Sequence, residues 1–402
     1  MNCRQDNRKI LNSWERVKAV YIHIPFCIRK CFYCNFVSYA NCNNLMTAYC
    51  RSLCNEISAR ASEADMVEEE ATIYFGGGTP SILPIECLEA IVSALKKYGF
   101  WKCAPEVTIE ANPGTVNKEK LNSFLRLGFS RISIGVQSLN DYELDAIGRV
   151  HTGAQALESL RLARSTGFKN INADLIYGLP RQSITSLKVT LAKLLEEKLE
   201  HISVYGLSVE EDTELYSKLC RRELVLPDDD NVEDMYFLVQ KMLKDADYER
   251  YEISNYAAQK GYQSKHNTAY WRYFPYLGFG AAACGFDGQN RRTATGSLQD
   301  YIKLAQEITA NTWLDSNLYQ LEALDRNTRL AEFMFMGLRR SCGVSIDEIK
   351  ERFNVDIMDS YGKALDSCFK NDLVFWDYQN RRIRLTEQGM ALGNIVFEIF
   401  VT

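Results

Sequence analysis

The chain has 402 residues, enough for one large α/β domain and a small second one at ~150 residues per domain. Hydrophobic residues make up 46% and charged residues 25%, and 47 basic against 52 acidic residues give a net charge of −5. This balance excludes a nucleic-acid binder held by bulk charge. The thirteen cysteines fall far below the roughly 8–10% that is typical of a short disulfide scaffold.

The composition also predicts the compartment. Residues 1–12 are polar and mixed in charge, without the apolar core of a secretion signal. The uncharged run 273–286 is broken by Pro275 and several glycines, and it falls short of the ~20 apolar residues that a spanning helix requires. We therefore expect a cytoplasmic protein without a transmembrane segment, in which reduced cysteines serve packing, catalysis or metal binding.

Short β-rich runs alternate with longer amphipathic stretches in the first three-quarters of the chain, which predicts βα units around a parallel sheet. The six predicted strands are 20–24, 72–75, 107–110, 131–136, 170–176 and 202–206. Predicted helices between them include 45–59, 84–98, 118–127, 154–166 and 185–198, where leucines recur at helical spacing. Six units fit either an open doubly wound sheet or an incomplete barrel, with the active face at the strand C-termini.

The alternation stops after the sixth predicted strand. Residues 209–300 mix helices with an aromatic-rich region at 248–286, and residues 320–402 have the pattern of a compact helical unit that ends in a β-hairpin. We therefore predict an N-terminal segment (1–17), a main domain (18–300) and a small winged-helix-like C-terminal domain (320–402).

Polar residues or glycines stand at the ends of the predicted strands. The first strand runs into a cysteine-rich loop, the second into Gly-Gly-Gly-Thr-Pro at 76–80, and the fourth leads to Gln137. The third carries Glu110 and the fifth carries Asp174. Because the C-terminal ends of parallel strands share one edge, these groups are expected to converge on one ligand.

Three cysteines differ from the rest by their spacing. Cys27, Cys31 and Cys34 form C-x3-C-x2-C, whereas most of the others lie singly or on a helical stripe, as buried thiols do. A structural zinc ion takes four ligands, and this loop supplies three, so zinc is the weaker alternative. A cubane iron–sulfur cluster normally takes four thiolates, and three would leave one iron to be held by a group that is not protein.

The cysteine loop, with Tyr33 before its last cysteine, resembles the cluster loop of the radical S-adenosylmethionine superfamily. The resemblance implies a partial (β/α)6 barrel, a [4Fe-4S] cluster on Cys27, Cys31 and Cys34, and S-adenosylmethionine chelating the open iron. In that superfamily an electron from the cluster cleaves the sulfonium and yields a 5′-deoxyadenosyl radical. The cofactor carries that chemistry, and the protein supplies position and electrostatics.

Longer motifs resemble the oxygen-independent coproporphyrinogen III oxidase-like group over nearly the whole chain. They are Tyr-Ile-His-Ile-Pro-Phe-Cys at 21–27, Phe-Gly-Gly-Gly-Thr-Pro at 75–80, Ile-Gly-Val-Gln-Ser at 134–138 and Asp-Leu-Ile-Tyr-Gly-Leu-Pro at 174–180. The resemblance implies S-adenosylmethionine contacts from Tyr21, Gly77, Gly78, Thr79, Glu110, Gln137, Arg149 and Asp174.

Two branches of this group differ at marked positions. The oxidase branch has a further cysteine two residues after the third, where this chain has Phe36. The branch of HemW-type heme chaperones has H-N-x-x-Y-W, and residues 266–271 are His-Asn-Thr-Ala-Tyr-Trp. The chain is thus similar to the chaperone branch, which implies heme on His266, heme-requiring acceptor proteins and an electron donor as partners.

Several alternatives stay open at this point. Oxidative decarboxylation of a porphyrinogen is the second function, and a methyltransferase or heme-cleaving relative is the third. Turnover of the cofactor and a homodimer are likewise undecided. Cys284 stands where the resemblance leads us to expect a histidine, which weakens the case for a second polar heme contact and leaves Cys284 as either a thiolate partner or a buried inert thiol.

Overall fold

The computed structural model describes residues 14–401, so most of the predicted N-terminal segment 1–17 lies outside the described residues. A twelve-stranded sheet forms the body of the molecule. From one edge to the other its strands are Tyr319–Ala323, Asn290–Ala294, Cys284–Phe286, Tyr276–Phe279, Val17–Ile24, Val67–Gly77, Val107–Ala111, Arg131–Gln137, Ile171–Tyr177, His201–Gly206, Asn255–Ala257 and Glu249–Arg250.

All six predicted strands are confirmed, each with boundaries within a few residues of the prediction. They pair in parallel and in chain order, from Val17–Ile24 to His201–Gly206. Every residue of Arg131–Gln137 is buried, as expected of a strand that is covered on both faces. Parallel pairing in chain order places the six C-terminal ends along one edge.

Most of the helices cover the outside of this sheet, and several begin and end at the signals expected for them. The side chain of Asn117 caps Lys118–Leu127, Thr152 forms a capping box with Gln155, and Gly128 ends its helix with a left-handed φ of 106°. The main-body helices are Met46–Ala59, Ile85–Lys97, Lys118–Leu127, Asp141–Ala146, Gly153–Thr166, Ile184–Glu196, Glu214–Cys220, Asp229–Asp245, Lys265–Trp271 and Leu298–Glu307. None of the helices between residues 14 and 401 combines the length and apolar character that crossing a bilayer requires.

A seventh parallel strand, Tyr276–Phe279, was not predicted from the sequence. It pairs with the other side of Val17–Ile24, so that Ala19 lies opposite Tyr276. Three antiparallel strands then extend the sheet beyond it. Because the two edge strands of the described sheet do not pair with each other, the sheet forms a partial barrel and not a closed one.

The C-terminal residues pack around a second hydrophobic core that begins at Leu330. Its helices are Arg326–Leu338, Ile346–Phe353, Ile357–Lys370, Glu387–Ala391 and Gly393–Glu398, and its sheet pairs Val344–Ser345, Arg382–Leu385 and Val374–Asp377. The predicted hairpin is thus present. The predicted domain start at residue 320 falls inside Tyr319–Ala323, which belongs to the main sheet.

Candidate functional site

A cavity of about 390 Å³ opens at the C-terminal ends of the parallel strands. It brings together ten of the twelve predicted site residues: Cys27, Cys31, Cys34, Gly77, Gly78, Thr79, Glu110, Gln137, Arg149 and Asp174. Strand ends converge in this way because parallel pairing in chain order aligns them. The other two predicted residues, Tyr21 and His266, do not line this cavity.

The cysteine loop follows the first strand and is tied to the rest of the site through its sulfur atoms. Thr79 Oγ1 lies 3.7 Å from Cys27 Sγ, and Arg149 Nη1 donates to Cys31 Sγ at 3.3 Å. Burial raises the pKa of both Cys27 and Cys34. The thiols therefore need a metal or a nearby cation to ionise, and the cations at hand are Arg149 for Cys27 and Lys30 for Cys34.

The spacing of these thiols bears on the kind of metal centre. Within residues 14–401, no three His, Cys, Asp or Glu side chains converge closely enough to hold one metal ion. A cubane cluster distributes its thiolate ligands over separate iron atoms, so its thiolates lie farther apart than the ligands of a single metal ion. Three thiols around one cavity wall fit that donor set.

The glycine loop packs directly against the cysteine loop. Gly77 has a left-handed φ of 112°, and a side chain on Gly78 would meet the Phe26 carbonyl oxygen at 2.6 Å. The amides of Gly78 and Thr79 donate to Ile24 and Phe26 carbonyls, and the amide of Gly77 donates to Glu110. With these donors occupied, the loop is unsuited to cradle a phosphate.

Two carboxylates form the floor of the cavity. Glu110 accepts from the Tyr74 hydroxyl at 2.7 Å and from the Gly77 amide at 3.2 Å. Burial, together with the charge of Asp174, raises the pKa of Glu110 to about 7. Asp174 accepts from the Ser133 hydroxyl at 2.8 Å, so each carboxylate keeps a fixed orientation.

Arg149 joins the strand ends to the cysteine loop. Its Nη2 donates to Asn112 Oδ1 and to the Gly135 carbonyl, both at 2.6 Å, while its buried Nε has no partner within the described chain. The neighbouring Gln137 has a left-handed φ of 64°, an unusual conformation for a residue with a side chain and one that often marks functional sites. Both residues are placed to contact a ligand in the cavity.

Tyr21 lies behind the cavity wall. Its hydroxyl lies 3.0 Å from His23 Nδ1, and its ring stacks on Tyr74 with centroids 6.2 Å apart. Contact between Tyr21 and a ligand in the cavity would therefore pass through other side chains. Its direct role in cofactor binding stays a prediction.

The short helix Lys265–Trp271, which we call the motif helix, packs against the barrel strands away from the cavity. The Ser264 side chain caps it, and the buried Glu106 carboxylate accepts from the amides of Lys265 and His266 at 3.1 and 3.0 Å. A carboxylate at a helix N-terminus is favoured by the helix dipole. Glu106 therefore fixes the start of the helix, and with it the His266 side chain.

The His266 ring is buried, and both of its nitrogens have partners. Nδ1 lies 2.8 Å from Thr72 Oγ1, and Nε2 lies 2.9 Å from the Tyr270 hydroxyl. Burial, reinforced by the charge of Arg131, lowers the pKa of His266 to about 3, so the imidazole is neutral. The centroid of its ring is 4.9 Å from that of the Tyr74 ring, and Tyr74 is a residue that lines the cavity.

Further residues that line the cavity were not assigned a role from the sequence, among them Tyr33, Asn112, Ser133 and Tyr205. Asn112 and Tyr205 lie at or near strand ends, and the rule that found Glu110 would have found them. Ser133 lies within a strand, and only its inward orientation in the barrel reveals it. Cys284, the residue left open earlier, is half-buried, and the Tyr276 hydroxyl lies 3.9 Å from its sulfur.

Comparison with known proteins agrees with this geometry. Residues 21–194 match the radical SAM superfamily, and residues 324–392 match the HemN C-terminal domain. The fold is similar to that of coproporphyrinogen III oxidase (HemN) from Escherichia coli, with a TM-score of 0.79 and 21% identity over 97% of this chain and 91% of that one. The fold and the cysteine loop thus define a radical SAM protein.

Relatives of higher sequence identity show which family of radical SAM proteins the chain belongs to. The heme chaperone HemW of Lactococcus lactis subsp. lactis (strain IL1403) is 35% identical over 96% of this chain and 98% of its own length. The heme chaperone HemW of Escherichia coli (strain K12) is 37% identical over 95% and 98%. The chain belongs to the HemW family.

Proposed function

We propose that this protein holds a [4Fe-4S] cluster, S-adenosylmethionine and heme, and that it delivers heme to heme-requiring acceptor proteins in the cytoplasm. The names of its HemW relatives support the chaperone role. The twelve described cysteines are free thiols, which suits a reducing compartment. Phe36, 64% exposed, stands where the oxidase branch has its further cysteine.

The cavity supports the cluster and cofactor part of the proposal. Cys27, Cys31 and Cys34 would hold three irons, and the residues at the strand ends would hold S-adenosylmethionine beside the fourth. When bound, the pair supplies the reductive chemistry of the superfamily. The protein contributes two oriented carboxylates as acceptors for ribose hydroxyl or amino groups.

One observation carries the heme part of the proposal: the His266 imidazole is neutral, and its Nε2 lies 2.9 Å from the Tyr270 hydroxyl. The Thr72 hydroxyl faces the Lys18 carbonyl at 3.4 Å, so its oxygen is left to accept from His266 Nδ1. Nε2 then carries the lone pair, held by the Tyr270 hydroxyl. Release of Tyr270 would expose an oriented ligand nitrogen, the usual arrangement for metal-binding histidines.

The test is a heme titration, followed optically, of cluster-reconstituted wild type, His266→Ala and Tyr270→Phe. We expect His266→Ala to lose the axial-ligand spectrum. Tyr270→Phe should bind heme about 2–10-fold more tightly, because no hydrogen bond to Nε2 has to be broken first. His151→Ala is the control, since His151 is a buried histidine outside the motif helix. Wild-type protein that binds no heme, or unchanged binding in His266→Ala, would overturn the heme assignment.

The pKa of Glu110 predicts how cofactor affinity depends on pH. Glu110 accepts hydrogen bonds as a carboxylate, so affinity for S-adenosylmethionine should be full above pH 7 and fall several-fold as pH drops through about 7. His151 and His266, with pKa values of about 4 and about 3, stay neutral in this range. Equilibrium dialysis between pH 6 and 8 measures the effect, and Glu110→Gln should flatten the profile. A pH dependence that persists in Glu110→Gln would contradict the prediction.

The same preparation distinguishes the proposed heme chaperone from the alternative function, a porphyrinogen oxidase. An oxidase would consume S-adenosylmethionine and release carbon dioxide from a porphyrinogen propionate under anaerobic, reducing conditions. We expect neither product from protein with an intact cluster. Carbon dioxide release coupled to cofactor consumption would assign the oxidase activity instead.

A further inference from the structure

A continuous chain of buried hydrogen bonds runs from the cavity floor to the motif helix. Asp174 Oδ1 accepts from Asn172 Nδ2 at 2.8 Å, and Asn172 Oδ1 lies 2.6 Å from His201 Nδ1. On the other side of the ring, His201 Nε2 lies 2.8 Å from the Tyr251 hydroxyl. The oxygen of Tyr251 accepts from the Ser264 amide, at the cap of the motif helix, at 3.0 Å.

The chemistry of the two ends fixes every proton in this chain. The Asp174 carboxylate is able only to accept, so the Asn172 amide turns its NH2 group toward Asp174 and its Oδ1 toward His201. Nε2 is then the unprotonated nitrogen, and Nδ1 carries the proton that is donated to Asn172 Oδ1. The Tyr251 hydroxyl therefore donates to His201 Nε2, while its oxygen accepts from the Ser264 amide. All donors run in one direction, and bonds aligned in this way strengthen one another.

The surroundings hold His201 in its neutral form. It is completely buried, and Nη2 of the buried Arg131 lies 3.5 Å from its Nδ1. Burial, with the charge of Arg131, lowers the pKa of His201 well below its ordinary value. The Ser203 hydroxyl also donates to Asn172 Oδ1, at 3.2 Å, which adds to the orientation of that amide.

We propose that His201 is a positioning residue for the cofactor: its Nδ1–H tautomer, set by Tyr251, orients Asn172 and thereby aims the Asp174 carboxylate into the cavity. The inference rests on the proposed function, because Asp174 acts on a bound S-adenosylmethionine. His201 itself lines no part of the cavity. The same chain joins the Asp174 carboxylate to the start of the helix that carries His266.

Two substitutions of His201 distinguish positioning from simple core packing. Asparagine places an amide nitrogen near the position of Nδ1, and glutamine places one near Nε2. Affinity for S-adenosylmethionine, measured by calorimetry on cluster-reconstituted protein, should fall about 3–10-fold in His201→Gln, the worth of one hydrogen bond, and less in His201→Asn. Equal losses in the two variants would overturn the proposal, since a packing role does not depend on which nitrogen is kept.

Tyr251→Phe tests the distant end of the chain. It should weaken cofactor binding several-fold and change the ¹⁵N tautomer signal of His201, which is expected to report Nδ1–H in the wild type. Tyr248→Phe is the matched control, because Tyr248 is a buried tyrosine that donates to the Leu199 carbonyl outside this chain. If the wild type binds S-adenosylmethionine and Tyr251→Phe binds it with the same affinity, the positioning role is ruled out while the proposed cofactor function stands. Wild-type protein that binds no S-adenosylmethionine removes the proposed cofactor function as well.

Discussion

Cys31→Ala is expected to give a folded protein that cannot keep its iron–sulfur cluster. Three thiolates are the only protein ligands that the proposal gives the cluster, and removal of one leaves two for four irons. Iron content after anaerobic reconstitution should fall from ~4 atoms per chain to below ~1. S-adenosylmethionine affinity should fall with it, because the cofactor is expected to bind the open iron.

Cys103→Ala is the matched control, since Cys103 is exposed and lies outside the cavity. It should retain wild-type iron content and cofactor affinity. A cluster that survives in Cys31→Ala, with an unchanged absorption spectrum, would show that another residue supplies a ligand.

Glu106→Ala is expected to destabilise the protein strongly. The carboxylate is buried, it accepts the amides of Lys265 and His266, and its charge acts on the fully buried Arg131 guanidinium. Its removal leaves the buried Arg131 guanidinium without the Glu106 charge, and it leaves the amides of Lys265 and His266 without their acceptor. We expect a loss of about 3–5 kcal/mol in the free energy of unfolding, measured by chemical denaturation.

Two further variants test whether the loss of stability is specific to the Glu106 carboxylate. Glu106→Gln keeps one acceptor oxygen for the helix amides and should lose less stability than the alanine variant. Glu89→Ala, at an exposed position of the helix Ile85–Lys97, should stay within about 0.5 kcal/mol of the wild type. A similar loss in Glu106→Ala and Glu89→Ala would contradict a structural role for the Glu106 carboxylate.

The strands and the cavity edge were predictable because they depend on local patterns. Parallel strands buried on both faces appear as apolar runs, and their polar ends mark one edge, which places Glu110, Gln137 and Asp174 together. The seventh parallel strand, Tyr276–Phe279, was missed because Pro275 and Gly278 interrupt its pattern. Gly278 has a reason that only the fold reveals: a side chain there would meet the Cys284 carbonyl oxygen at 2.1 Å.

The barrel interior was less predictable than its rim. Asn172, His201 and Tyr251 are polar residues at separate places in the sequence, and no spacing rule connects them before the strands are aligned. The burial of the His266 ring was likewise hidden, because an aromatic stretch has the same composition whether its histidine faces a ligand or a core. The relation of Tyr21 to the cavity depends on the orientation of one side chain, which a motif does not encode.

The pairing of Val17–Ile24 with Tyr276–Phe279 has a consequence for biosynthesis. The ribosome delivers the first strand and the cysteine loop early, but one of the two neighbours of that strand emerges only after the whole parallel array has been made. Until then the strand has an unsatisfied edge, and such edges recruit wrong partners. We therefore expect the cysteine loop to reach its final position late during translation, so that cluster insertion follows release of most of the chain.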